Sequence, residues 1–278
     1  MCRRERSDRG LGREAWSRPG PRRYRLVALI AAASVGAFAT LGDRPDRPAS
    51  KTAAVPSPRL THATDRLVRR RVLLGYSVLG RRIYAVELGD PDNERKTLVV
   101  GEIHGNEGAG RAVTRDLAGR SPPREAALWI VNGLNPDGLA AGTRQNARGV
   151  DLNRNFPWRW RALGAPGDLQ YSGPRPLSEP ESRIAHALIL RIRPRTTIWF
   201  HQPLGLVDES GGRIHVERRF ARLAGLPLRR LIRYPGSVAG WQNHRLPRST
   251  AFVVELPPGN LSPMGASRYA RAVMRLAS

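Results

Sequence analysis

The chain is short of cysteine: Cys2 is the only one in 278 residues. It precedes the start of any mature form, so the folded part has no disulfide, Cys-based zinc cluster or thiolate nucleophile. Lysine is also scarce. Of 47 basic residues only Lys51 and Lys96 are lysines, against 23 acidic residues and a net charge of +24. The arginines are scattered, as arginine-for-lysine coding in a GC-rich genome would leave them. They form no basic stripe with interleaved aromatics and no nucleic-acid-binding module, so no nucleic-acid partner is expected. An affinity for anionic envelope polymers is compatible with the charge.

Long apolar runs are missing too. The uncharged stretch LVALIAAASVGAFAT, residues 26–40, falls short of the ~20 apolar residues a comfortable membrane span needs. It follows nine arginines in residues 1–25 and contains Ala37-Phe38-Ala39, a small-x-small site. Residues 1–39 therefore read as a secretory signal peptide, with an uncleaved membrane anchor as the alternative. Arg22-Arg23 fits a twin-arginine signal, but arginine is too common here for the pair to specify one. Cys2 lies ahead of the apolar run and is badly placed for a lipoprotein. The expectation is export to the extracellular space or cell envelope, with membrane contact only through residues 26–42. Residues 40–65 are Pro-rich and aperiodic and read as a linker. One domain then spans 66–278, without internal repeats, and a monomer is expected.

Within that domain strands alternate with helices. RRVLLGYSVLGRRIYAVELGD reads as two strands joined near Leu79-Gly80. TLVVGEI is a short buried strand, and GAGRAVTRDLAG a helix ending at Gly119. ALWIV runs into a turn at Asn135-Pro136-Asp137-Gly138. Ser178 and Glu181 form a capping-box pattern before a helix. TTIWF ends at His201, and AFVV ends at Glu255. SPMGASRYARAVMRLAS closes the chain as a helix with Ser262 as N-cap. An α/β sheet covered on both faces follows.

Three of these strand ends carry polar groups: His104 and Glu107 after TLVV, His201 after TTIWF, and Glu255 after AFVV. In an α/β sheet the carboxyl ends of strands face the ligand crevice, so the four converge. Two histidines and a carboxylate fill three positions of a tetrahedral zinc ion and leave the fourth open. His104, Glu107 and His201 suit those roles, and Glu255 suits a general base. HxxE alone is common by chance, and a lone histidine is more often structural. A carboxylate inside an apolar strand is harder to dismiss, because burial without a partner is costly. The loop GTRQNARGVDLNRNFPW adds arginine forks suited to carboxylates and oxyanions. His186 sits in a helical apolar pattern and reads as structural. Trp158 and Trp160 suit either a cleft rim or a sheet-edge cover.

HGNE, NPDG, GVDLNRNFP, WFHQP and VVELPPG, in that order, resemble the zinc carboxypeptidases of the carboxypeptidase A type. With SEPE and PGSVAGW they look most like the bacterial murein peptide amidase branch, which cuts between γ-D-glutamate and meso-diaminopimelate. The resemblance implies a single α/β domain with a central mixed, mostly parallel β-sheet flanked by helices, and one zinc ion. It implies zinc ligation by His104, Glu107 and His201, with Asp151 orienting the first histidine. Asn153 and Arg154 would clamp the substrate's terminal carboxylate. Arg144 would stabilise the oxyanion, Glu255 would act as base and acid, and Tyr234 lies near the position of a mobile tyrosine. The gap from Glu107 to His201 is shorter than in the digestive enzymes, so their specificity loops are expected to be missing. Asp208 could meet the second amino group of diaminopimelate, although a solvated loop acid is the simpler reading. The expected partner is a peptidoglycan-derived peptide. A general carboxypeptidase and an inactive wall-peptide binding domain are the rival readings.

Overall fold

Along the central strands the side chains divide between two cores, one on each face of a sheet. The computed structural model describes residues 67–278; the expected signal peptide or anchor at 1–39 and the linker at 40–65 lie outside the described residues. The strands are β1 (Val68–Tyr76), β2 (Arg82–Gly89), β3 (Lys96–Val100), β4 (Ala127–Val131), β5 (Thr196–His201), β6 (Leu206–Asp208), β7 (Leu228–Arg229) and β8 (Thr250–Glu255). The helices are α1 (Gly110–Gly119), α2 (Pro136–Ala141), α3 (Pro180–Ile192), α4 (Ile214–Ala224), α5 (Val238–Arg245) and α6 (Pro263–Ala277). Val99, Leu128, Ile130, Ile198, Phe200, Phe252 and Val254 meet α1, α4 and α6 on one face. Leu98, Val100, Trp129, Val131 and Trp199 meet α3 and α5 on the other. This two-sided burial explains why the strands read as continuous apolar runs rather than alternating ones.

Among the described residues the sheet has eight strands, in the order β1-β2-β4-β3-β5-β8-β6-β7. The middle four, β4, β3, β5 and β8, are parallel, while β2 and β6 flank them antiparallel. The mixed, mostly parallel sheet expected from the sequence is therefore present. All four central strands end at the same edge, where the site lies. Both outer edges are blunted against further pairing: β1 exposes Arg69, Arg70 and Arg71, and β7 is two residues long.

Two local expectations are corrected. NPDG is the start of α2 rather than a free turn: the Asn135 side chain accepts from Gly138 N at 2.9 Å, capping a helix with Pro136 in its first turn. Ser178 and Glu181 do not form a capping box. Helix α3 begins at Pro180 with no side-chain cap. Ser178 Oγ instead donates to Glu179 Oε1 at 2.8 Å, and Glu181 accepts from Val78 N at 3.0 Å and Asn146 Nδ2 at 3.1 Å. The two glutamates tie α3 to the β1–β2 hairpin and to the loop carrying Arg144, a tertiary role that local spacing does not reveal. The closing helix α6 has its expected cap, with Ser262 Oγ accepting from Gly265 N at 3.1 Å.

Candidate functional site

The turn after β3 brings three donors to one point. Glu107 N donates to His104 O at 2.9 Å, closing the turn. His104 Nδ1 then lies 3.0 Å from Glu107 Oε1. His201 Nδ1, from the end of β5, lies 2.9 Å from Glu107 Oε2 and 3.1 Å from His104 Nδ1. All three residues are buried, and among the described residues they are the group able to hold a metal ion. The glycine of HGNE is required by contact more than by φ. A Cβ on Gly105 would collide with the backbone of Gly138, the glycine of NPDG.

Two imidazole nitrogens facing each other beside a carboxylate call for a cation. Asp151 Oδ1 stands 3.1 Å from His104 Nε2. Acceptance of that N–H leaves His104 Nδ1 as a lone pair aimed at His201 and Glu107. Zn–N bonds of ~2.0–2.1 Å in a tetrahedron put two donor atoms ~3.3 Å apart, close to the separation seen here. The donor set therefore fits zinc. Burial pushes the carboxyls of Glu107 and Asp151 upward, but facing histidines, and for Asp151 also Arg144 and Arg154, outweigh it and hold both well below the usual carboxylate range. The histidines' share of that pull is the positive charge of the imidazole; burial opposes that charge on His104, but Asp151 and Glu107 outweigh burial and hold its pKa up. Where His104 offers its Nδ1 lone pair, a bound cation would take over that role.

A cleft of about 460 Å³ opens over these donors and contains Glu255, Arg144, Asn153, Arg154 and Tyr234. Glu255 ends β8 directly beside His201 in the strand pairing. Its Oε2 is buried with no hydrogen-bond partner among the described residues. Burial raises its pKa, against the pull of His201. Arg144 reaches in from the loop after α2, with Nη1 2.8 Å from Glu107 Oε1 and Nε 3.1 Å from Asp151 Oδ2. Asn153 and Arg154 sit in a 3-10 turn, Leu152–Arg154, capped by the Asp151 side chain, which accepts from Asn153 N at 2.8 Å. Asn153 Oδ1 accepts from Val238 N at 3.0 Å, so its amide NH₂ is the end left for a ligand. Arg154 is buried, its Nε has no partner among the described residues, and its guanidinium carbon lies 4.0 Å over the Tyr234 ring. The backbone of Arg154 packs on Gly236, whose φ of +70° and lack of a Cβ both matter: any Cβ there would strike the Arg154 carbonyl.

The profile of the zinc carboxypeptidase family matches residues 60–203 of this sequence. This chain belongs to that family. Murein peptide amidase A of Vibrio campbellii is 34% identical over 198 residues, covering 66% of this chain and 78% of that protein. Murein peptide amidase A of Escherichia coli K12 is 35% identical over 160 residues, covering 52% of this chain and 64% of that protein. A crystal structure of a murein-tripeptide amidase from Escherichia coli O157 superimposes with a TM-score of 0.61 at 28% identity, over 76% of this chain and 92% of that one. The donor set and the family agree on zinc as the metal.

Gln202 supports the site in a way the sequence does not reveal. Gln202 Oε1 accepts from Ala109 N at 2.9 Å, and its Nε2 donates to Pro257 O at 3.0 Å and Gly259 O at 2.8 Å. It thereby ties the start of α1 to the loop after β8; the HQP motif was visible, but not this bracing. Glu102 is fully buried with neither oxygen partnered among the described residues, and burial pushes its carboxyl up to about 8. Asp208 is not a solvated loop acid: it ends β6, is 7% exposed and lines the cleft. His186 packs on Trp241, with ring centroids 4.6 Å apart, as a structural histidine should. Trp158 stacks on His244 at 3.4 Å, beside the main cleft rather than over the donors.

Proposed function

We propose that this chain is an exported zinc-dependent metallopeptidase that releases the C-terminal residue of a peptide. The favoured substrate is a peptidoglycan peptide cut between γ-D-glutamate and meso-diaminopimelate. The observation that carries the reading is the unpartnered Oε2 of Glu255, held beside His201 in the lining of the cleft. A pure binding domain has no use for a carboxylate oxygen left without a partner at a half-buried position, which costs stability where it stands. The likeness to murein peptide amidases of two bacteria supports the substrate class.

His104, Glu107 and His201 would hold a zinc ion, which would supply Lewis acidity to lower the pKa of a water molecule and polarise the scissile carbonyl. Glu255 takes the proton from the attacking water and passes it to the leaving amine as the C–N bond breaks. Arg144, turned into the cleft, donates to the oxygen that gains negative charge. The NH₂ of Asn153 and the guanidinium of Arg154 hold the terminal carboxylate. Burial of Arg154 lowers its pKa, but Asp151 opposes that and a bound carboxylate would too. Asp151 keeps the His104 ring in the tautomer that presents Nδ1.

Mass spectrometry of L-Ala-γ-D-Glu-meso-diaminopimelate incubated with the zinc-loaded protein tests the reading. Release of free diaminopimelate is expected. An untouched tripeptide together with trimming of ordinary peptides would favour a general carboxypeptidase. Survival of both would point to a binding domain.

A further inference from the structure

Beyond the carboxylate clamp the cleft wall carries a pair of opposite charges. Asp208 Oδ1 accepts from Leu231 N at 2.9 Å, and Oδ2 accepts from Ser210 Oγ at 2.7 Å. Ser210 Oγ accepts in turn from Val253 N at 3.1 Å, two residues before Glu255 on β8. Asp208 is thus anchored to the strand that carries the base. Each of its oxygens can accept a further bond. Arg233 follows β7, and its Nη1 stands 3.7 Å from Asp208 Oδ2. That is an ion pair too long to be a hydrogen bond. The Arg233 side chain is 44% exposed, and both residues line the same cleft as Glu255 and Arg154.

We infer that Asp208 and Arg233 together read a substrate side chain that ends in an amino-acid zwitterion, an ammonium and a carboxylate on one carbon. The inference rests on the proposed peptidase reading and deepens it, because the far end of meso-diaminopimelate is such a group. A side chain ending in an ammonium alone would satisfy Asp208 but face the positive charge of Arg233. A side chain ending in a carboxylate alone would face Asp208. In a zwitterion the two charged groups share one carbon, close enough to meet two protein charges standing 3.7 Å apart. Both mismatches are penalised and only the pair is served, which is discrimination by repulsion as well as attraction. The anchoring of Asp208 fixes half of this reader, while exposed Arg233 can swing to meet the ligand.

The test compares kcat/KM of the zinc-loaded full-length protein on three tripeptides. One is L-Ala-γ-D-Glu-meso-diaminopimelate, the second carries a carboxamide in place of its far carboxylate, and the third has L-lysine in place of diaminopimelate. The wild type should prefer the first over each of the others by about tenfold or more. Arg233→Gln should bring the ratio of the first to the second close to one. Asp208→Asn should depress the first and the third together. Because Asp208 is buried and its variant could misfold, the exposed Arg233 carries the decision, with zinc content and circular dichroism checked for each protein. A wild type that cuts all three equally overturns the inference and leaves the peptidase reading standing. So does an Arg233→Gln variant that lowers all three by one factor. A wild type that binds zinc and cuts none of them overturns both.

Discussion

His201 and Glu255 occupy the same register position of two neighbouring parallel strands. A proposed zinc ligand and the proposed base are therefore placed by the sheet rather than by a loop. Both share the face of Trp199 and Val253, opposite Phe200 and Val254. A one-residue slip of β8 would send Glu255 to the other face and bury Val254 in the cleft. The cost of burying the Glu255 carboxyl in the opposite apolar core opposes that slip.

Asp151 should matter to metal affinity although it touches no metal. It stands 3.1 Å from His104 Nε2 and also meets Arg144. Asp151→Asn is expected to weaken zinc binding by ~10–100-fold, read by competition with a chromophoric chelator. Unchanged affinity would show that packing alone orients His104.

Gly105→Ala should be disproportionately harmful for one added methyl, because its Cβ meets the Gly138 backbone. Overpacking of this kind costs about 1–3 kcal/mol, or roughly 2–4 °C in Tm for each kcal/mol in a domain of this size. Calorimetry should show that loss together with reduced zinc uptake. Gly108→Ala, where a Cβ meets nothing within 4 Å, is the control and should leave both close to wild type.

Glu217 should make stability depend on pH. Burial raises its carboxyl from 4.5 to about 7, with nearby Asp208 adding to the rise; N–H bonds from Gly212 and Ser210, and Arg233, pull the other way. The folded state thus holds the proton more tightly than the unfolded one. The stability this adds is complete below pH 4.5 and is lost as pH rises through about 7. Glu217→Gln stays neutral throughout. Its Tm relative to wild type should therefore be higher by a few degrees at pH 8 than at pH 5. An equal difference at both pH values would contradict this account.

Much of the site was legible because its chemistry sits at strand ends. TLVV, TTIWF and AFVV each stop at a residue that apolar burial cannot explain, and a parallel sheet gathers such ends at one edge. What was not legible depends on contacts far apart in the chain. Asp208 looked like a loop acid because β6 is three residues long and too short to show a pattern. Arg233 lies in an irregular stretch after β7 and gains meaning only through Asp208. Ser178 and Glu181 imitate a helix cap, yet Glu181, together with Glu179, binds Asn146, more than thirty residues away in the chain. Gln202 was hidden in plain view, since nothing in HQP says what the glutamine holds.

The most direct test of the account is Glu255→Gln, assayed for zinc content and for release of diaminopimelate from the tripeptide. Gln is nearly isosteric and cannot take a proton. Zinc should remain at one ion per chain while kcat falls by at least ~10²–10⁴-fold, the range for a general acid–base group. Retention of activity within about tenfold, with zinc bound, would contradict the role given to Glu255 and the mechanism built on it.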